Sequence, residues 1–500
     1  MGNNIIRISF TRTYCGEELE EFIRSGICKI CDDIYEFLSQ YEARSLFLLW
    51  LDFYRGIEEF CNFQYELKFP LSGSFWTTRL SDEEDMECQS KIISAAFGEA
   101  VAGRFKETVN RLALVRYVDS EFYLSDQPTL DTLLKYAMTR RFHFLTMLYL
   151  ITKYSKGNKS ISSLCDFIPF FKIIESRFST LVTGYNSLIV KKCLSDYEGI
   201  VPLSGGTMRF NYDYNQLDDS GMEPIRLSQL DMLSFDKELE HYVFKKEKPC
   251  LYSEEELNMM FEVDAIVFRK FNIAQTEVFI SLKNLKDDLK SAFVDGYLIK
   301  LDSDGYKALC CKYPNLSLCK DYDDFFDIQQ MRSLFCKFDD CYYSSYYLFI
   351  RFYQNMLYNE LEKIRKYRII SGFIFEDKVI KTVERYGYTY HPECKRIKRK
   401  EFDVVCTKGS TIYNFQCKNN YLDVTQIDTN CVDKIADRHK QLVRYYKEAL
   451  SKEKKREQLL IDKLGITDVK HFVISMFPVI TRNPNIIPFN QLERRIWQGL

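Results

Sequence analysis

Glu401-Phe402-Asp403-Val404-Val405 and Ile412-Tyr413-Asn414-Phe415-Gln416-Cys417-Lys418 read as two short strands joined through a Lys408-Gly409-Ser410 turn. Successive strand side chains face opposite ways, so Gln416 and Lys418 share one face while Phe415 and Cys417 share the other. Asp403 sits between Phe402 and Val404, which must point away from it. A carboxylate and an ammonium on strands that otherwise look buried are costly unless they are paired or bound to a metal. Their presence marks a candidate site.

The elements around this hairpin follow in a definite order. Phe373 to Tyr386 has apolar residues at helical spacing and stops at Gly387, a natural left-handed cap. Tyr388-Thr389-Tyr390 reads as a strand, followed by the basic loop Lys395-Arg396-Ile397-Lys398-Arg399-Lys400. Strands at 401–407 and 411–418 come next, then a long charged helix from about Cys431 to Leu460, and a closing strand His471 to Phe477. The order is helix, three strands, helix, strand.

With Asp on the second strand and Gln-x-Lys on the third, residues 371–480 resemble the PD-(D/E)xK nuclease superfamily, in its Mrr-like restriction-endonuclease branch. The matching residues are Glu376 on the first helix, Asp403 in Glu-Phe-Asp-Val-Val, and Gln416 and Lys418 in Phe-Gln-Cys-Lys-Asn. The resemblance implies an αβββαβ core and a Mg²⁺-dependent phosphodiester hydrolase, with Mn²⁺ able to substitute. It assigns Asp403 and Gln416 to the metal, joined by the main-chain carbonyl of Cys417, with Glu376 supplying further charge. Lys418 would orient water and stabilise negative charge on phosphorus. The residue types suit that chemistry, because Mg²⁺ takes hard oxygen ligands and needs only one or two carboxylates beside substrate phosphate. Two other readings stay open: a buried Asp403–Lys418 salt bridge with a structural role, and a catalytically inactive nuclease fold that only binds or scaffolds.

Charge is unevenly distributed along the chain. The chain of 500 residues has a net charge of −2, yet residues 371–500 hold 24 Lys and Arg against 16 Asp and Glu. That leaves +8 in this part and −10 in the rest, a split expected where one part meets a polyanion. The expected nucleic-acid contacts are Lys395, Arg396, Lys398, Arg399 and Lys400 in the loop, with Lys434, Arg438 and Arg444 at helical spacing further on. DNA is favoured over RNA. No base-reading motif is present, so sequence specificity is not legible.

The remaining two-thirds show amphipathic helical spacing over about 17–69, 82–124 and 129–191. A Gly/Pro/Asp-rich run from Val201 to Pro224 marks a break. A second mostly helical block follows, including a helix start at Ser253 with Glu256 three residues on. The fold expected is therefore multidomain: helical regions at 1–205 and 225–368, of recognition or regulatory role, and an α/β nuclease-like domain at 369–500. The helical region is the candidate surface for a protein trigger or partner, and self-association is unread. The 46% hydrophobic content supports a folded chain. Seventeen scattered cysteines and an N-terminus interrupted by charge imply reduced, mostly buried thiols and a cytoplasmic location. The most apolar stretch, Phe142 to Tyr154, is too short to span a bilayer. Microbial restriction or phage defence follows from the family resemblance alone.

Overall fold

The computed structural model of the chain describes residues 11–66, 83–118, 129–202, 208–212, 229–239, 242, 250–318, 325, 333–420 and 432–500. The chain is mixed, predominantly helical with several small sheets. Its internal contacts form two compact units, one of residues 1–27, 184–227 and 365–500, the other of residues 28–183 and 228–364. Most of the Gly/Pro/Asp-rich run at 201–224 lies outside the described residues.

The first unit contains the helix–strand order read from the sequence. Helix α1 (Arg365–Arg385) leads into strand β1 (Thr389–Tyr390), then the ribbon β2 (Arg396–Ile397) and β3 (Lys400–Glu401). Strands β4 (Val404–Lys408) and β5 (Thr411–Lys418) follow, then helices α2 (Val432–Lys454) and α3 (Gln458–Leu464). Strands β6 (Asp468–Ser475) and β7 (Ile486–Pro488) and helix α4 (Leu492–Trp497) close the chain. The five-stranded sheet runs β7-β6-β5-β4-β1. Strand β4 is antiparallel to β1 and β5, whereas β5, β6 and β7 are mutually parallel. A second antiparallel sheet joins Thr11–Cys15, Glu198–Pro202 and Arg209–Phe210.

Both faces of the central sheet are buried, as a parallel core requires. One face packs Val404, Cys406, Tyr413, Phe415, Phe472 and Ile474 against Phe375, Val379 and Val383 of α1 and Leu492 and Ile496 of α4. On the other, Val405 and Ile412 meet Phe402 and Leu460, and Val473 meets Tyr446 and Leu450 of α2. Gly387 takes the left-handed cap conformation at φ +79° that its position after α1 requires. Gly409 has φ +60° at the first position of the two-residue β4–β5 turn, where an L side chain would be strained.

Element limits differ from the sequence reading in three places. Helix α1 begins at Arg365, eight residues before Phe373, because fully buried Tyr367 extends its apolar face. The strand expected over 401–407 is divided: Lys400–Glu401 pairs back with Arg396–Ile397, and Phe402 turns into the core. The long charged helix is broken after Lys454, and α3 ends on Gly465 at φ +70°.

The second unit is built on aromatic packing. Trp50, on helix Ala43–Glu66, is fully buried and donates its Nε1–H to Phe144 O at 2.9 Å. Phe53, Phe144, Phe167 and Phe170 surround it at ring-contact distances, and Phe171 packs on Phe53. The run Tyr342 to Phe349 divides into strand Cys341–Ser345 and helix Tyr346–Lys363, where Ser345 caps the helix by accepting Leu348 N–H at 3.1 Å. Ser253 accepts Glu256 N–H at 3.1 Å, the cap expected at that helix start. Glu59 is buried between Arg55 (3.0 Å) and Arg104 (2.7 Å), and neighbouring Glu58 takes Tyr297 Oη–H at 2.5 Å.

Among the described residues no helix is long and apolar enough to cross a membrane. The expectation of mostly buried cysteines is corrected: Cys61, Cys336, Cys394 and Cys406 are buried, whereas Cys15, Cys28, Cys88, Cys165 and Cys311 are exposed. Cys319 and Cys431 lie outside the described residues.

Asp264 in this unit accepts Gln229 Nε2–H (2.8 Å) and Tyr353 Oη–H (2.9 Å), yet burial pushes its carboxyl up to about 6. A carboxyl raised on folding contributes stability that is complete below its unfolded value near 4 and lost as pH rises through about 6. We therefore expect Asp264→Asn to flatten the decline of stability between about pH 3 and pH 7, which is about 3 kcal/mol in total for such a shift. Thermal denaturation across that range checks this, and an unchanged slope would contradict it.

Candidate functional site

The hairpin register brings three of the expected side chains together. Val404 pairs with Phe415, so one residue further back Asp403 stands opposite Gln416. Asp403 Oδ2 accepts the backbone N–H of Cys417 at 2.8 Å and an N–H from Gln416 Nε2, and Lys418 Nζ stands 3.9 Å away. The Asp403 and Lys418 side chains are 20% and 16% exposed, so solvent reaches both. Gln416 is buried and presents its amide nitrogen to Asp403. Turning the amide end for end would present Oε1 in its place. The Cys417 side chain packs on the opposite, apolar face, and burial pushes its thiol well up.

Glu376 reaches this cluster from α1. Its Oε2 accepts Lys395 Nζ at 2.8 Å, and Lys395 also lies 5.1 Å from the Phe373 ring centre. Burial raises the Glu376 carboxyl, Lys395 opposes that shift, and the nearby charge of Asp403 adds to it. Burial likewise raises Asp403, with Lys418 and the Cys417 N–H pulling it back. Two carboxylates thus sit close enough to repel each other in a partly desolvated setting. Asn419 Nδ2 donates to Ser371 Oγ at 2.8 Å and ties the end of β5 to α1.

Two features of the site were missed by the sequence reading. Tyr445 on α2 is 47% exposed, with the Lys418 ammonium 5.9 Å from its ring centre. Glu453, also on α2, is fully buried, accepts Asn414 Nδ2–H at 3.0 Å, and is paired by Arg456 Nε at 3.0 Å. His471 contacts Asn414 (3.1 Å) and Glu457 (3.0 Å), and the Arg456 guanidinium lies 4.6 Å from the Phe402 ring centre. Asn414 is two residues before Gln416 on the same face of β5, so this network supports the wall of the site. The sequence expectation for Lys452 to Glu457, a solvated helix with interleaved charges, is corrected here, because Glu453 and Arg456 form a buried pair.

The expected nucleic-acid contacts fall in two groups. Lys395 is engaged with Glu376. Arg396, Lys398, Arg399 and Lys400 are exposed on the β2–β3 ribbon, whose two-residue turn puts Lys398 at φ +46° and Arg399 at φ +67°. On α2, Lys434, Arg438 and Arg444 are exposed, with Arg438 Nη1 donating to Gln441 at 3.2 Å.

Among the described residues no group of three or more His, Cys, Asp or Glu side chains is arranged to hold a metal. Any cation here rests on Asp403 and Glu376 with neutral oxygens such as the Gln416 amide. Comparison with protein families, curated proteins and solved structures finds no match for this chain.

Removing a buried carboxylate's cation leaves an uncompensated charge that costs about 3–5 kcal/mol. Arg456→Ala should therefore destabilise the protein by about that much, and adding Glu453→Gln should recover part of the loss. Unfolding midpoints of the two variants and wild type test this. A loss no greater than that of an exposed arginine would refute the network's role.

Proposed function

We propose that this chain is a metal-dependent nuclease with its site at Asp403, Glu376, Gln416 and Lys418. One observation carries the reading: a carboxylate, an amide and an ammonium from adjacent strands converge where a second carboxylate arrives from a helix. The order of the elements and the matching positions resemble the PD-(D/E)xK nucleases. The donor set suits a hard divalent cation, because two mutually repelling carboxylates with raised affinity for protons are relieved by one. Asp403, Glu376 and an oxygen from Gln416 or the Cys417 carbonyl would hold Mg²⁺ or Mn²⁺, which supplies a more acidic water and neutralises phosphate charge.

The chain's own residues set up the rest. Lys418, held near Asp403 and over Tyr445, places a positive charge where a scissile phosphate would gain negative charge. Glu453 and Arg456 keep Asn414 and β5 in position. The exposed cations of the ribbon and α2 fit contacts to a phosphate backbone, and these set affinity without reading sequence. DNA is the substrate favoured, and a restriction or defence role belongs to the same analogy. The helical unit would serve recognition, regulation or partner binding.

Incubating the full chain with supercoiled plasmid, linear duplex, single-stranded DNA and RNA, with Mg²⁺, Mn²⁺ or EDTA, tests the proposal. We expect cation-dependent cutting that falls at least about 100-fold in Asp403→Ala and Lys418→Ala. Both carboxyls must be ionised to hold the cation. Activity should therefore be lost on acidification at a pH above the ordinary carboxylate value of about 4, since both are raised. A second reading, a binding protein without catalysis, is favoured by the Gln416 amide donating to Asp403. Nucleic-acid binding that survives both substitutions, with no cutting under any condition, would establish it instead.

The Lys398–Arg399 turn offers a separate test. Left-handed backbone at non-glycine residues costs about 1–2 kcal/mol each, and Asn-Gly is the favoured pair for such a turn. Exchanging the pair for Asn-Gly should raise stability while reducing the salt dependence of DNA binding by about two charge units. Stability and salt slope both unchanged would mean that these cations do not touch the backbone.

A further inference from the structure

We propose that a cavity at the β7 end of the sheet binds a phosphorylated small molecule of nucleotide size. The cavity, of about 390 Å³, lies within the first unit and belongs to none of the residues of the candidate nuclease site. Its volume falls in the range that holds small ligands, about 300–1,000 Å³.

The charge of its lining is one-sided. Arg482, Arg494 and Arg495 all line it, and among the described residues no Asp or Glu does. Two carboxylates close by are already engaged. Asp196 holds Arg482 Nε at 2.6 Å, and Glu493 accepts Arg385 (2.8 Å) and the Tyr386 hydroxyl (3.1 Å). Arg482 is fixed further by donating to Asn211 O at 2.9 Å and Asn211 Oδ1 at 3.1 Å, so it forms a rigid wall. Arg495 is half-buried, donates to Pro484 O at 3.2 Å, and has no carboxylate partner among the described residues. A partly desolvated guanidinium in that state calls for an anion, and its planar fork fits phosphate with two hydrogen bonds.

The other walls indicate what accompanies the anion. Pro484 and Pro488 give rigid apolar surface, and the side-chain amides of Asn483 and Gln498 add polar groups, Asn483 Oδ1 being held by Asn485 N–H at 3.0 Å. Apolar walls with a few amides suit a flat, polar ring such as a nucleobase, whereas inorganic phosphate would leave them unused. The class is thus a nucleoside phosphate, and the binding does not depend on nuclease activity.

Isothermal titration calorimetry of the full chain without divalent metal tests this with AMP, ribose 5-phosphate, inorganic phosphate, adenosine and citrate. We expect AMP to bind at least tenfold more tightly than adenosine or inorganic phosphate. Arg495→Gln and Gln498→Glu, the latter an exposed position that folding tolerates, should each weaken AMP at least tenfold with unchanged melting temperature. Asp403→Ala should bind AMP as wild type does, which separates this site from the candidate nuclease centre. The proposal is overturned if AMP shows no binding below millimolar concentration, if adenosine or citrate binds as tightly, or if both lining variants bind AMP as wild type does.

Discussion

The parallel ladder between β5 and β6 is the constraint on which the candidate site rests. All eight residues of Thr411–Lys418 pair in register with Asp468–Ser475, and the strand is covered on both sides. Burial on both faces fixes the register, since a slip by one residue would drive Asn414, Gln416 and Lys418 into the aromatic layer of Phe415, Tyr413 and Phe472. With that register fixed, Asp403 has one place to be. Its Oδ2 collects a backbone N–H and a side-chain N–H and faces an ammonium, which compensates a carboxylate that burial would otherwise neutralise.

The legible part of this arrangement is the part with a short period. Alternation along two strands is enough to put Gln416 and Lys418 on one face and to set Asp403 opposite, because strand geometry repeats every two residues. The cap at Gly387 and the turn at Gly409 were readable because each demands a backbone that glycine adopts most easily. What escaped depends on the crossing of elements distant in sequence. Glu376 meets Lys395 only because α1 and the ribbon converge, and Tyr445 reaches Lys418 only because α2 crosses the sheet. Glu453 and Arg456 sit in a run of charges that reads as solvated surface, yet they form a buried pair. The left-handed pair Lys398–Arg399 carries none of the residue types that announce such a turn.

The electrostatics of the two sites differ in kind. At Asp403 and Glu376 burial makes both carboxyls hold protons more tightly than usual, against the opposing pull of Lys418 and Lys395. The lining of the cavity holds Arg482, Arg494 and Arg495 and, among the described residues, no carboxylate.

The first unit gathers residues 1–27, 184–227 and 365–500, whereas the second is complete once residue 364 has been made. During synthesis the helical unit can therefore fold while its counterpart still lacks the segment that supplies the central sheet. The N-terminal strand Thr11–Cys15 pairs with Glu198–Pro202 over a separation of more than 180 residues, a slow contact to close. The order of synthesis therefore favours formation of the aromatic-rich unit before that of the sheet domain. Cutting the gene at residue 365 would remove two strips of chain that the sheet domain counts as its own.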